Sequence, residues 1–175
     1  MNPAEPLRVG VLPLARPTFD VPYAEQMCAD AWKLMEQIPV DWVGSSGLLF
    51  DAKSVESQLS EFKNEHLDLL LVLQMTFTDA SMTVKLAETF DVPLLFWSFP
   101  EKRTGGRLRL NSLCGVNLAA HALGKSGIQC DYLNLNPQNP ETADELVSWI
   151  RAFQTRKNLA STKLAVIGEH PDGFH

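Results

Sequence analysis

Short apolar runs and stretches with helical spacing alternate along this chain. Leu7 to Leu12 is an apolar run before Pro13 and reads as a first strand. Beyond the loop Leu14 to Asp20, Pro22 suits a first helical turn. Ala24, Met27, Ala31, Leu34 and Ile38 then recur at helix spacing until Pro39 stops them. Val40 to Val43 predicts a weak second strand, and Asp51 an N-cap for a helix with Val55, Leu59 and Phe62 inward. Leu67 to Leu73 is nearly continuous in Leu and Val, as in a strand covered on both faces. The loop Gln74 to Asp79 leads to a helix carrying Met82 and Leu86, and Val92 to Phe99 predicts a fourth strand. A charged loop from Pro100 then meets a helix capped at Asn111 or Ser112 and ended by Gly124. Ile128 to Leu133 predicts a fifth strand. Thr142 and Glu145 have capping-box spacing for a helix facing Leu146, Ile150 and Phe153 inward. Thr155 to Thr162 reads as a polar connector and Lys163 to Gly168 as a sixth strand.

This alternation predicts an α/β fold with a doubly wound, mainly parallel sheet, a flavodoxin/Rossmann-like three-layer sandwich. Residues 1–158 form that domain. Residues 159–175 read as a connector and the first strand of a truncated second domain. In a flavodoxin-like strand order the first, third and fourth strands are neighbours, and their carboxyl-end loops share one rim. The rim carries Arg16, Thr18, Phe19, Asp20, Thr76, Phe77, Thr78, Asp79, Glu101, Arg103 and Arg107, with Asn111 at the following helix start. Hydroxyl, carboxylate, aromatic and Arg groups together suit a polyhydroxylated or anionic ligand. Each also has a structural reading. Arg16 and Asp20 can pair with each other, Asp20 can cap the first helix, and Phe19 and Phe77 can anchor loops.

Composition narrows the classes. A net charge of −6 argues against a nucleic-acid platform. Yet four of the 15 cations, Lys102, Arg103, Arg107 and Arg109, fall between residues 102 and 109, a local positive spot. Three dispersed cysteines fit neither a disulfide framework nor a Cys-x-x-Cys metal site, so a reducing cytoplasm is expected. No signal-peptide pattern opens the chain, and no apolar run approaches the roughly 18 residues of a membrane helix. Neither a nucleic acid nor a membrane is an expected partner. Gly124-Lys125-Ser126 lacks the first glycine of a phosphate loop, position 119 being Ala, and it lies in the wrong order between helix and strand. No G-x-G-x-x-G follows a strand, and Leu14, Ala15 and Arg16 stand where a response regulator needs an acidic pair. Cys114 and His121 are seven residues apart on one helix, roughly 10 Å along its axis, too far for direct proton transfer. They read as packing residues. Glu169, His170, Asp172 and His175 are a weak candidate metal group.

Three stretches then resemble a known family: Leu12-Pro-Leu-Ala-Arg-Pro-Thr-Phe-Asp20, Gln74-Met-Thr-Phe-Thr-Asp-Ala-Ser81 and Pro100-Glu-Lys-Arg-Thr-Gly-Gly-Arg-Leu-Arg-Leu-Asn-Ser-Leu-Cys-Gly115. They are similar to the N-terminal domain of L-fucose isomerase-like proteins, the group related to L-fucose and L-arabinose isomerases. Ile167-Gly-Glu-His-Pro-Asp-Gly-Phe174 resembles the start of that family's second domain. The resemblance implies an Mn²⁺-dependent aldose–ketose isomerase of the cytoplasm. Its Mn²⁺ ligands and acid/base groups lie in later domains of the full-length parent, and no catalytic residue or cofactor is expected in these residues. The domain would act like a lid, offering Arg16 and the loops around Phe77 and Arg103 to a monosaccharide held with the remaining domains and neighbouring subunits of a homo-oligomer. The other reading is a stand-alone flavodoxin-like regulatory module that binds a sugar or anion.

Overall fold

The structure is a computed structural model, and it describes residues 6–165, 167, 168 and 173. Five strands and five helices alternate: β1 Arg8–Leu14, α1 Val21–Met35, β2 Asp41–Gly44, α2 Ala52–Phe62, β3 Leu69–Gln74, α3 Ser81–Thr89, β4 Leu94–Ser98, α4 Ser112–Lys125, β5 Asp131–Asn134 and α5 Glu141–Ser161. All four strand pairings are parallel, in the order β2-β1-β3-β4-β5.

Two-residue periodicity sorts the strand side chains between two cores. Val9, Val11, Leu69, Leu71, Leu73, Leu95 and Trp97 pack with Ala24, Met27 and Ala31 of α1 and Leu146 and Phe153 of α5. Leu12, Leu14, Leu70, Val72, Leu94 and Phe96 face the other way, onto Val55 and Leu59 of α2, Leu86 of α3 and Val116 of α4. The three layers follow, with α1 and α5 on one face and α2, α3 and α4 on the other.

Several boundaries differ from the sequence reading. Pro13 does not end β1 but lies within it, opposite Leu73. Its carbonyl faces the β2 edge, accepting from Leu49 N at 2.8 Å, and β2 has already ended at Gly44. The N–H that proline lacks therefore has no ladder partner to lose. Gly124 does not end α4, which runs on to Lys125. Gly127, at φ +72°, takes the left-handed turn. Thr142 and Glu145 form no capping box, because α5 starts one residue before Thr142, whose hydroxyl donates to Asn136 O at 2.7 Å. The capping box belongs to α2, between Asp51 and Ser54.

The expected connector from Thr155 is helix. No Gly or Pro interrupts Glu141–Ser161, and α5 continues past the expected boundary at 158. Lys157 anchors its far half to the nearly buried Asp68 at 2.8 Å. The expected sixth strand is absent among the described residues: Lys163, Leu164, Ala165, Ile167 and Gly168 lie in no strand. Leu164 and Ile167 are 90% and 99% exposed.

Candidate functional site

The carboxyl ends of β1, β3 and β4 sit side by side, so the loops that follow them meet. The order in which strands are added to the sheet reverses between β1 and β3, where open α/β sheets leave a crevice. Arg16 crosses that crevice. Its backbone N–H donates to Thr76 Oγ1 at 2.7 Å, and its guanidinium pairs with Asp79, which also accepts from the Ser81 hydroxyl. Chiefly through the Ser81 hydroxyl, and then the Ser81 amide and Arg16, the Asp79 carboxyl is held below its ordinary range.

A second pair joins the first loop to the third. Asp20 caps α1 by accepting from Tyr23 N at 3.1 Å, while its other oxygen accepts from Arg109 Nε at 2.7 Å. The Arg109 guanidinium lies 3.8 Å above the Tyr23 ring. The Arg109 hydrogen bond, followed by the Tyr23 amide, lowers the Asp20 pKa. Backbone bonds complete the weld: Asp20 N donates to Arg109 O at 3.1 Å and Phe77 N to Leu110 O at 2.8 Å.

Glu101 organises the third loop. Its carboxylate accepts from the backbone N–H groups of Arg109 (2.5 Å), Leu110 (3.1 Å) and Asn111 (2.6 Å). Asn111 sits at the start of α4 in the left-handed region, φ 51°, which Asn tolerates better than most side chains. An internal carboxylate thus fills the concavity that successive amides would otherwise offer to an anion.

The rim residues divide accordingly. Thr76 and Thr78 are buried, contrary to a ligand role for their hydroxyls. Thr76 Oγ1 supports Arg16, and Thr78 Oγ1 accepts from Gln74 Nε2 at 2.9 Å. Glu101 and the Asn111 amide are engaged with each other. Arg16, Thr18, Phe19, Asp20, Phe77, Asp79, Arg103 and Arg107 keep accessible surface. Phe19 and Phe77 lie 6.4 Å apart, and Arg107 stands over Phe19 at 5.4 Å. Beside this rim a cleft of about 280 Å³ is lined by Phe99, Glu101, Arg103, Asn111, Cys114 and Asn134. A larger cavity, about 450 Å³, opens by Pro93, Ile128 and Asp131 at the amino ends of β4 and β5 and shares no residue with the rim.

Arg109, Tyr23, Ser81 and Gln74 belong to this arrangement without having been candidates. Arg109 was legible in the charged window, and Gln74 as the polar end of an apolar strand. Cys114 and His121 prove exposed rather than packed, because α4 turns Gly115, Val116, Ala119 and Leu123 inward.

Among the described residues no three His, Cys, Asp or Glu side chains form a group able to hold a metal ion. Asp20, Asp79 and Glu101 are engaged by arginines, a serine and backbone amides. The candidate group Glu169, His170, Asp172 and His175 lies outside the described residues. Among those that are described, no helix is long and apolar enough to cross a membrane.

Residues 10–160 match the family model for the fucose/sulfoquinovose isomerase N-terminal domain. The sulfoquinovose isomerase of Alkalicoccus urumqiensis is 30% identical over 169 residues, 97% of this chain and 38% of that protein. Those of Priestia megaterium and Clostridium sp. are each 28% identical, over 93% and 95% of this chain. The chain therefore spans little more than a third of these relatives' length. A mutant flavodoxin from Pseudomonas aeruginosa superposes with a TM-score of 0.42 at 13% identity, covering 85% of this chain and 97% of that one. With its three welded loops at the switch point of a β2-β1-β3-β4-β5 sheet and a match across residues 10–160, the chain belongs to the fucose/sulfoquinovose isomerase N-terminal-domain family.

Proposed function

We propose that this chain is the substrate-recognition domain of an aldose–ketose isomerase, and that sulfoquinovose, named in its relatives, is the sugar class to test first. The observation that carries the reading is the pair of cross-loop contacts, Arg16–Asp79 and Arg109–Asp20, which hold three loops as one polar rim. Arg16 and Asp79 offer donors and acceptors to sugar hydroxyls, and Phe19 and Phe77 offer apolar faces to sugar C–H groups. Aldose–ketose exchange moves a proton between adjacent carbons through an ene-diol. The acid and base for that step, and Mn²⁺, belong on this reading to the rest of the parent chain, which works in the cytoplasm with neighbouring subunits. The rim's task is to orient the sugar and exclude water around it.

The test is full-length parent incubated with sulfoquinovose, L-fucose or L-arabinose in D₂O and followed by NMR. Ketose formation with deuterium entering at C1 is expected, and Arg16→Ala should raise KM. No ketose from any of the three overturns the isomerase assignment. Unchanged KM and kcat in Arg16→Ala remove the rim from the site.

A further inference from the structure

The rim arginines are not equivalent. Arg16 is neutralised by Asp79 and Arg109 by Asp20. Arg107 is held differently, its Nη2 donating to Thr18 O at 3.0 Å and its guanidinium standing over the Phe19 ring. Both restraints are uncharged. Among the described residues Arg107 has no carboxylate partner, and the nearby acids are already engaged, Asp20 by Arg109 and Glu101 by the amides of residues 109–111. The result is a fixed, exposed fork with its full positive charge uncompensated, on a chain whose net charge is −6.

Such an arrangement has a chemical meaning. A side chain that only tied two loops together would do so equally well when paired with a carboxylate. Leaving the charge open lowers the cost of bringing an anion there, and the carbonyl and ring fix the direction of the remaining N–H groups. A planar fork donating two parallel hydrogen bonds matches two oxygens of a sulfonate, phosphate or carboxylate. Phe19 and Phe77 beside it give the uncharged part of the same ligand an apolar surface.

We propose that Arg107 is the specificity-determining residue that binds the anionic substituent of the sugar and so selects a sulfonated aldose over its neutral counterpart. This rests on the isomerase reading above and adds to it which group of the substrate this domain reads. Arg107 is a binding residue with no part in the proton transfer, so its effect belongs in KM.

Sulfoquinovose and quinovose differ only in the sulfonate and form the natural pair of probes. Full-length parent, Arg107→Ala and Arg107→Lys are assayed for kcat/KM on both sugars. In Arg107→Ala the preference for sulfoquinovose should fall about tenfold or more, mostly through KM, the worth of one charge-assisted hydrogen bond. Arg107→Lys, which keeps the charge but loses the fork, should fall between. Partial misfolding lowers both rates together, so the ratio still reports on recognition. A ratio unchanged in Arg107→Ala overturns the assignment, as does a loss carried entirely by Arg103→Ala. A parent that prefers quinovose overturns it while the isomerase reading stands. A parent that converts no aldose removes both.

Discussion

Gly115→Ala isolates a close approach between α4 and β3 beneath the rim. In an ordinary helix interior the change stabilises by about 1 kcal/mol. Here an added Cβ would lie 2.9 Å from Gln74 Nε2 and 3.0 Å from its Cδ and Cγ. Gln74 cannot swing away freely. It is fully buried, and Nε2 donates to Thr76 O at 2.7 Å and Thr78 Oγ1 at 2.9 Å. Crowding a packed interior costs about 1–3 kcal/mol, and each displaced hydrogen bond about 1 kcal/mol. Set against the helix gain, the net destabilisation is about 2 kcal/mol. Urea unfolding followed by circular dichroism reads it as a lower midpoint at constant slope. In a Gln74→Ala background the obstacle is gone, and Gly115→Ala should stabilise by up to about 1 kcal/mol, a coupling of about 3 kcal/mol. A stabilising Gly115→Ala in the native background, or an equal cost in both, would refute this account of how α4 meets β3.

Asp20 and Asp79 both have folded pKa values lowered from 3.8, so their contribution is complete above the unfolded value and disappears as pH falls through the lower folded one. Carboxyl-carbon NMR titration should show both midpoints below 3.8, moving up for Asp20 in Arg109→Ala and for Asp79 in Ser81→Ala; midpoints at or above 3.8 would contradict the pairing. Burial pushes the Cys28 thiol up to about 12, and burial followed by Asp131 raises Cys130, whereas Cys114 is exposed. A thiol reagent at pH 7.5 should therefore label Cys114 first and Cys28 only on unfolding, and mass spectrometry showing early Cys28 modification would place that side chain elsewhere.

Near-neighbour pattern was enough for five strands and five helices, but it also announced a connector and a sixth strand where α5 runs on and no strand forms among the described residues. Leu67 to Leu73 announces a strand covered on both faces, Val55, Leu59 and Phe62 a helix face, and Asp51 a cap. These signals act within a few residues, where side-chain spacing and backbone hydrogen bonding are set directly by the sequence. Their succession was enough for a parallel three-layer fold, and the three loop motifs for the family. Boundaries were less legible, since Pro13 and Gly124 look like stops until the end of β2 at Gly44 and the turn at Gly127 show why they are not. The partners on the rim were not legible at all. Arg16 has a carboxylate four residues away in Asp20, yet it pairs with Asp79, 63 residues distant, because the Tyr23 amide and Arg109 hold Asp20 while β1–β3 register brings Asp79 across. Which cation is neutralised and which is left open, Arg16 or Arg107, is therefore a property of strand order and register. Charge attracts charge at any separation along the chain, and only the folded sheet decides which of them are close.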